Sequence, residues 1–236
     1  MPDQLTRLLV IRHGETAWNT EGRIQGHIDI PLNARGEWQA RRLAQAMAGE
    51  DIHAVYSSDL GRALATARPM AEVLDLPVQV RQALRERHFG RHEGRTQAEV
   101  AEAWPEEGRR WRERDPHYGP EGGETLQAFY DRCVSELQAL AHAHMGQTIA
   151  VVAHGGVLDC FYRAANGVAV QAPRSWKVGN ACVNRLLYTP QGFTMVAWAD
   201  DRHLDGEDAV LDEATDGGTH LSTPLSTLPG QPGLAA

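Results

Sequence analysis

The sequence is poor in cysteine, in aromatic residues and in long apolar runs. Of its 236 residues three are cysteines, at positions 133, 160 and 182, and 6% are aromatic. Three cysteines scattered through apolar stretches are too few for a disulfide framework, so each is expected to be a small buried side chain. No apolar run approaches the roughly 20 residues that cross a bilayer, and the first residues do not resemble an export signal. We therefore expect a cytoplasmic protein with no membrane partner.

The chain also lacks an excess of basic residues. It carries 23 Lys and Arg against 31 Asp and Glu, which gives a formal net charge of −8 at pH 7. Such a balance offers no basic surface to nucleic acid or to an anionic membrane, so neither is expected as a partner. Any affinity for an anion must therefore come from local groups of arginine and histidine.

Strands and helices are predicted to alternate along the first two hundred residues. Apolar runs and alternating patterns predict strands at 5–11, 52–56, 77–80, 147–153, 181–188 and 193–198. Apolar residues three and four apart predict helices at 34–48, 60–74, 124–144 and 155–165. Asn33 and Ser57-Ser58-Asp59 are the expected N-terminal caps of the first two. This alternation favours an α/β fold, a three-layer sandwich with a mostly parallel central sheet and helices on both faces.

The chain is expected to hold one domain and a tail. No linker interrupts residues 1–205, which we assign to a single domain. Residues 206–236 have many Gly, Thr, Ser and Pro and little periodicity, and this predicts a disordered C-terminal tail. Between residues 85 and 123 the chain is irregular, charged and rich in Trp, Gly and Pro. We interpret this segment as an insertion over the sheet edge that governs ligand selectivity. Trp111 within it is expected to pack in the core, with a cover over the ligand as the alternative.

Three predicted strands end in polar residues. The apolar run before Arg12-His13-Gly14 is one, the run before His154-Gly155 is another, and the third leads through Ser57-Ser58-Asp59 to Arg62. Ligands of α/β sheets bind beyond the carboxyl ends of the strands, so these groups are expected to converge on one crevice. Arginine binds two phosphate oxygens at once, and amides at the starts of the following helices would attract the same anion. The sequence therefore predicts a site for a phosphate group.

The segment Arg12-His13-Gly14-Glu15-Thr16 resembles the signature of the histidine phosphatase superfamily, which includes the cofactor-dependent phosphoglycerate mutases. The likeness extends through Asn19, Gly22-Arg23-Ile24-Gln25-Gly26, Pro31-Leu32-Asn33, Ser57-Ser58-Asp59-Leu60-Gly61-Arg62-Ala63, Leu84-Arg85-Glu86, Gly122-Gly123-Glu124-Thr125 and Val152-Ala153-His154-Gly155-Gly156. It covers about residues 5 to 204. Arg-His-Gly alone would be a weak signal, whereas the ordered set is very specific.

The resemblance implies covalent phosphoryl transfer. His13 would attack phosphorus and become phosphohistidine. Arg12, Arg62 and His154 would hold the phosphate oxygens and neutralise their charge. Glu86 would protonate the leaving group and then activate the hydrolytic water. The residue types alone do not distinguish Glu86 from Asp59 or Glu15 for that task. For Glu15 we favour a structural role, in which its carboxylate holds the loop after the first strand.

Four further residues would complete the phosphate cradle, and no cofactor or metal is expected. The cradle would consist of Asn19, Gln25, Gly26 and Gly155. His88 and His92 are four residues apart, as metal ligands on a helix often are, but no acidic partner completes a recognised pattern.

The family contains both hydrolases and mutases, and three features favour a hydrolase. Gly22–Gly26 followed by Pro31-Leu32 is similar to the phosphatase branch, and the segment between Glu86 and Gly122 is shorter than in typical mutases. Asp115-Pro116 with Gly122-Gly123-Glu124-Thr125 resembles members that cleave small phosphate esters. We expect a phosphatase acting on a small phosphorylated substrate, as a monomer or a homodimer. The alternatives are a cofactor-dependent phosphoglycerate mutase, a metal-dependent phosphatase and a non-catalytic protein that binds phosphate esters. Arg91-His92 departs from the family pattern and is expected to add positive charge to the rim of the site.

Overall fold

The computed structural model describes residues 5–205 as one six-stranded sheet flanked by helices. The strands are β1 (Thr6–Arg12), β2 (Ala54–Ser57), β3 (Val78–Val80), β4 (Thr148–Ala153), β5 (Val183–Thr189) and β6 (Gly192–Asp200). The helices are α1 (Ala17–Thr20), α2 (Ala34–Met47), α3 (Gly61–Val73), α4 (Gln97–Ala103), α5 (Pro105–Arg112), α6 (Leu126–Ala143) and α7 (Gly155–Asn166). The expected tail, 206–236, lies outside the described residues. Across residues 5–205 no helix combines the length and apolar character needed to cross a bilayer.

The sheet has the strand order β3-β2-β4-β1-β5-β6. The first four strands run parallel, and β5 and β6 extend the sheet as an antiparallel hairpin. The predicted mostly parallel sheet and its terminal hairpin are confirmed. In the central pair β1 and β4, Val10 lies opposite Val151 and Arg12 lies opposite Ala153. These two strands therefore end level with each other at the same edge of the sheet.

Both faces of the central strands are covered, which explains their uninterrupted apolar runs. Leu8 and Val10 belong to a core shared with residues of α6 and α7. Leu9 and Ile11, between them in sequence, belong to a second core shared with residues of α2 and α3. Successive side chains of a strand point to opposite faces, so each face of the sheet packs on its own pair of helices. The predicted three-layer arrangement is confirmed.

A third, smaller core lies in the segment that follows β3. It is built from Ile24, Phe89, Val100, Trp111 and Tyr118. Trp111 is 7% exposed and its ring lies 5.4 Å from that of Phe89. Its place is within this packed core, as expected.

The expectation that Arg91-His92 would add positive charge to the rim is wrong. Arg91 forms ion pairs with Glu107 and Glu121, and its guanidinium lies 4.4 Å from the ring centroid of Trp104. His92 is buried, its Nε2 atom lies 2.8 Å from Glu107, and burial lowers its pKa. Arg91 is therefore exposed but neutralised by two glutamates, and His92 is buried beside the third core. Their partners are distant in sequence, and local charge counting therefore missed them.

Helix caps were predicted correctly for α2 and wrongly for α3. Asn33 accepts a hydrogen bond from the backbone N–H of Gly36, as its position before α2 indicates. At α3 the amide of Gly61 donates instead to Asp29, at 2.6 Å, from a loop 32 residues away. Asp59 faces Arg85, with both carboxylate oxygens engaged at 2.7 and 2.5 Å. The apparent capping sequence before α3 therefore does not cap it.

Gly36 offers a test of how tightly the loop after β1 packs on α2. Alanine normally stabilises a helix by about 1 kcal/mol relative to glycine. A Cβ atom at position 36 would lie 2.1 Å from the backbone oxygen of Glu15. We predict that Gly36→Ala lowers the free energy of unfolding by about 1–3 kcal/mol, measured by urea denaturation. Gly49→Ala is the matched control, because a Cβ atom there has no neighbour within 4 Å. Equal stability of the two variants would contradict this packing.

Candidate active site

Two imidazoles meet where β1 and β4 end. His13 follows β1 and His154 follows β4, and their ring centroids are 5.2 Å apart. The backbone N–H of His13 donates to the carbonyl of Ala153 at 2.9 Å, which continues the pairing of the two strands by one residue. Each ring is about 2% exposed or less. The level ends of two adjacent parallel strands thus bring together residues 141 positions apart in the sequence.

A backbone contact fixes the tautomer of His13. Its Nδ1 atom lies 2.7 Å from the carbonyl oxygen of Gly14, which can only accept a hydrogen bond. The proton of the neutral ring therefore resides on Nδ1, and the lone pair on Nε2 is available as a nucleophile. The side-chain amide of Asn180 donates to the carbonyl of His13 at 3.0 Å and holds the residue from the other side.

Two buried arginines surround the histidines. Arg12 and Arg62 are 2% and 1% exposed. Arg12 donates to the carbonyl of Val178 at 2.7 Å, and Arg62 donates to the carbonyls of Ile28 and Gly26 at 3.0 and 2.7 Å. Burial lowers the pKa of Arg62 to about 10, and this leaves it cationic at neutral pH. Backbone carbonyls thus hold both guanidinium groups at the strand ends.

The same surroundings keep both imidazoles neutral. Burial is the main cause that lowers the pKa of His13 well below its ordinary value, and the charges of Arg62 and Arg12 lower it further. Burial followed by Arg62 does the same to the pKa of His154. Neither ring nitrogen of His154 makes a hydrogen bond to any residue between 5 and 205. Desolvation and nearby cations both disfavour an imidazolium, and the two effects act together here.

Of the three carboxylates left open by the sequence, Glu86 has the placement that suits a proton carrier. Its two oxygens accept hydrogen bonds from the backbone amides of Arg87, at 2.7 Å, and Gly156, at 2.9 Å. Gly156 is the second residue of α7 and follows His154 by two positions. Asp59 is paired with Arg85, and Glu15 accepts from Asn33 at 2.8 Å within its own loop. Glu15 therefore ties down the loop, and the geometry favours Glu86 for chemistry.

The expected cradle residues lie around these groups. The hydroxyl of Thr16 is 3.1 Å from the amide oxygens of both Asn19 and Gln25, and Asn19 also accepts from Asn180. The carbonyl of Gly26 holds Arg62, and Gly155 opens α7 beside His154. The helix amides expected to attract an anion are partly engaged already. Gly61 donates to Asp29 and Gly156 donates to Glu86.

Two residues that support the site, Glu93 and His27, were not predicted from the sequence. Glu93 accepts hydrogen bonds from the backbone amides of His27, Ile28 and Phe89, at 2.9, 3.2 and 3.0 Å. The ring of His27 in turn lies 2.9 Å from the carbonyl of Glu86. Glu93 and His27 are 66 residues apart, so no local pattern reveals their contact. The one signal available was the acidic residue directly before Gly94 in a glycine-rich stretch.

No metal-binding arrangement was found among residues 5–205. Within that range no three His, Cys, Asp or Glu side chains are grouped to hold an ion. His88 and His92, which are four residues apart in the sequence, contact different partners. His88 packs against His27 with ring centroids 4.6 Å apart, and His92 faces Glu107.

Comparisons with known proteins agree with this geometry. The sequence model of the histidine phosphatase superfamily (branch 1) matches residues 8–201. Phosphoglycerate mutase-like protein 4 of Arabidopsis thaliana is 39% identical over 202 residues, covering 84% of this chain and 86% of that protein. The metal-independent phosphoserine phosphatase of the same plant is 37% identical over 209 residues, covering 85% and 84%.

Solved structures show the same fold. YhfR of Bacillus stearothermophilus superposes with a TM-score of 0.79 at 31% identity, covering 85% of this chain and all of that one. The expected family and fold are confirmed, and the phosphatase-named relative supports the expected phosphatase activity. With its two strand-end histidines, its buried arginines and a family match over residues 8–201, the chain belongs to the histidine phosphatase superfamily.

Proposed function

We propose that the protein hydrolyses small phosphate monoesters through a phosphohistidine on Nε2 of His13. The observation that carries the proposal is the state of that ring. It is neutral, its Nδ1 proton is held by Gly14, and Arg62 lies close enough to lower its pKa. A buried neutral nucleophile beside buried cations suits attack on a dianion, because the cations compensate the charge of the phosphate and not that of the ring.

In the first step the ester phosphate occupies the space between the arginines and His154. Arg12, Arg62 and His154 hold its three outer oxygens, and Asn19, Gln25, Gly26 and Gly155 line the cradle. Nε2 of His13 forms a bond to phosphorus while the bond from phosphorus to the ester oxygen breaks. Glu86, protonated at this stage, gives its proton to the departing oxygen, and the alcohol leaves.

The second step reverses the role of the carboxylate. Glu86, now ionised, removes a proton from a water molecule whose oxygen attacks the phosphorus. The bond between phosphorus and Nε2 breaks, inorganic phosphate leaves, and the ring and the protonated carboxyl group are both restored. Splitting the reaction in this way lets one carboxyl group serve as acid and then as base.

The names of the relatives support a substrate class. One is a phosphoglycerate mutase-like protein and another a phosphoserine phosphatase, and both names refer to phosphorylated three-carbon acids. We infer that this chain acts on esters of that size. Arg91 is paired with Glu107 and Glu121, so it is not placed to retain a bisphosphate as a mutase must. This favours water over a second hydroxyl group as the phosphoryl acceptor. The cytoplasmic location, the monomeric or dimeric state and the assignment of 1–205 as one domain stay predictions.

The hydrolase proposal is tested with a panel of substrates. We expect release of inorganic phosphate from p-nitrophenyl phosphate, O-phosphoserine and 3-phosphoglycerate, undiminished by EDTA, because the proposed steps use only side chains. Conversion of 3- to 2-phosphoglycerate, dependent on a trace of bisphosphate, is measured in parallel. Isomerisation faster than phosphate release would make the protein a mutase, and loss of activity in EDTA would make it a metal enzyme.

Replacing His13 tests the covalent step. His13→Ala is expected to lower phosphate release by on the order of a thousandfold or more, since it removes the nucleophile. It should also abolish the acid-labile label that forms on the protein from a radioactive phosphate ester. His142→Ala, at an exposed site near the end of α6, is the control and should retain both. Turnover of His13→Ala at the normal rate would refute the assignment.

The lowered pKa of His13 predicts activity in mild acid. A histidine with its ordinary pKa near 6.5 would be mostly protonated at pH 5.5 and would lose about tenfold in nucleophilic form. Because burial and two arginines lower the pKa of His13, its neutral form persists at that pH. We expect the first-turnover release of p-nitrophenol, read after an alkaline quench, to fall less than twofold from pH 7 to about 5.5. A tenfold fall would show that the ring titrates as an ordinary histidine.

A further inference from the structure

A small cavity adjoins Glu86 next to the start of α7. Its volume is about 30 Å³, and the carboxylate of Glu86 and the backbone of Gly156 form part of its wall. Phe89, Trp111 and Phe129 are among the apolar side chains around it. The remaining polar wall consists of Arg87, Arg114 and Asp159. None of these three has a part in the proposed reaction.

Asp159 is the unusual member of this wall. Its side chain is 5% exposed, and its Oδ2 atom accepts hydrogen bonds from Arg114 and Arg163, each at 2.8 Å. Its Oδ1 atom is buried and accepts no hydrogen bond from any residue between 5 and 205. A buried carboxylate oxygen without a donor is costly, so a donor at this position is expected.

The cavity fits water and little else. A volume of about 30 Å³ exceeds the roughly 10–15 Å³ that one water molecule requires, but it is too small for the carbon skeleton of a substrate. Carboxylates on two sides can accept hydrogen bonds, and arginines on the others can donate them. A neutral molecule that both donates and accepts matches this mixed wall, whereas a cation or an anion would meet a like charge.

We propose that this cavity holds one or two ordered water molecules that join the carboxyl group of Glu86 to Oδ1 of Asp159, and that Asp159 is a positioning residue for the proton donor. The inference rests on the proposed role of Glu86. Asp159 itself gains and loses no proton in the reaction. Through the bridging water it orients Glu86, and its negative charge favours the protonated form that the first step needs.

Asp159 acts against several cations around Glu86. The groups that face Glu86 from the neighbouring elements are Arg62 on α3, Arg87 beside it, Arg114 after α5, Arg132 on α6, Cys160 on α7 and the His27 ring on its carbonyl. Four of them are arginines, and these favour an ionised Glu86. Asp159 opposes them from α7. Removing its charge would also leave Arg114 and Arg163 unbalanced, which favours the ionised form further.

Asp159→Asn separates this role from a purely structural one by means of two substrates. O-phosphoserine has an alkoxide leaving group that needs a proton, whereas p-nitrophenolate leaves readily without one. For O-phosphoserine we expect kcat to fall about tenfold at pH 7 and the alkaline limb of the pH profile to move about one unit lower. For p-nitrophenyl phosphate we expect a change of less than about twofold. Equal losses on both substrates, or no loss on either, would overturn the proposal.

Three companion variants keep the outcomes distinct. Asp200→Asn removes an aspartate at the end of β6 that pairs with Arg202, and it should change kcat for neither substrate. Leu126→Phe narrows the cavity without altering any charge and should reproduce the selective loss, which serves if Asp159→Asn folds poorly. Glu86→Gln should lose O-phosphoserine hydrolysis. If it does not, the proposed role of Glu86 fails. If Glu86→Gln behaves as expected while Asp159→Asn and Leu126→Phe both lack the selective loss, only the present inference fails.

A crystal structure gives the direct test. At a resolution that shows ordered solvent, wild-type protein should have water within hydrogen-bond distance of both Oδ1 of Asp159 and a carboxyl oxygen of Glu86. A dry cavity, or a side chain filling it, would overturn the proposal.

Discussion

The active site depends on arginine charge that is buried but held by neutral dipoles. Arg62 is 1% exposed, and it donates hydrogen bonds to the carbonyls of Gly26 and Ile28. Asp29, the carboxylate in an ion pair with it, is 3.7 Å away and 45% exposed, so water screens that pair, and the buried carboxylate of Glu86 also acts on its charge. Carbonyl oxygens accept from both terminal nitrogens of the guanidinium without cancelling its charge. A dianionic phosphate can therefore add charge compensation that the exposed Asp29 does not supply.

The position of Arg62 therefore depends on backbone groups of the loop that contains Gly26 and Ile28. The carbonyls that hold Arg62 belong to the same short loop whose amides donate to Glu93. Gly26 adopts a φ of +53° there, and a Cβ atom on it would lie 2.1 Å from a carboxylate oxygen of Glu93. Glu93 thus fixes the loop, the loop holds the guanidinium of Arg62, and that guanidinium lowers the pKa of His13. The electrostatics of the nucleophile are set through three successive contacts.

The sequence predicted what local patterns control and failed where distant partners decide. An apolar run that ends in Arg12-His13-Gly14 marks a buried strand and its edge, so the histidines and arginines were found from short segments. Asp59 was predicted to cap α3 because its sequence neighbours fit a cap. In the structure Asp59 pairs with Arg85, and Asp29 accepts the hydrogen bond from the first amide of α3 instead. Arg91 was misread as free charge because its glutamates lie 16 and 30 residues away. For Glu93 the only local signal was its place directly before Gly94 in a glycine-rich stretch.

The side of the site beyond Glu86 is packed rather than open, and this bears on what the enzyme can select. Phe89 and Trp111 belong to the third core, and Arg91 is neutralised above it by its glutamates. A wall of packed apolar side chains and paired charges cannot bind a large leaving group through long-range electrostatic attraction. Discrimination must come from fit and from the few polar atoms that remain near the carboxyl group. The polarity of that wall and the acidity of Glu86 are therefore two consequences of the same buried charges.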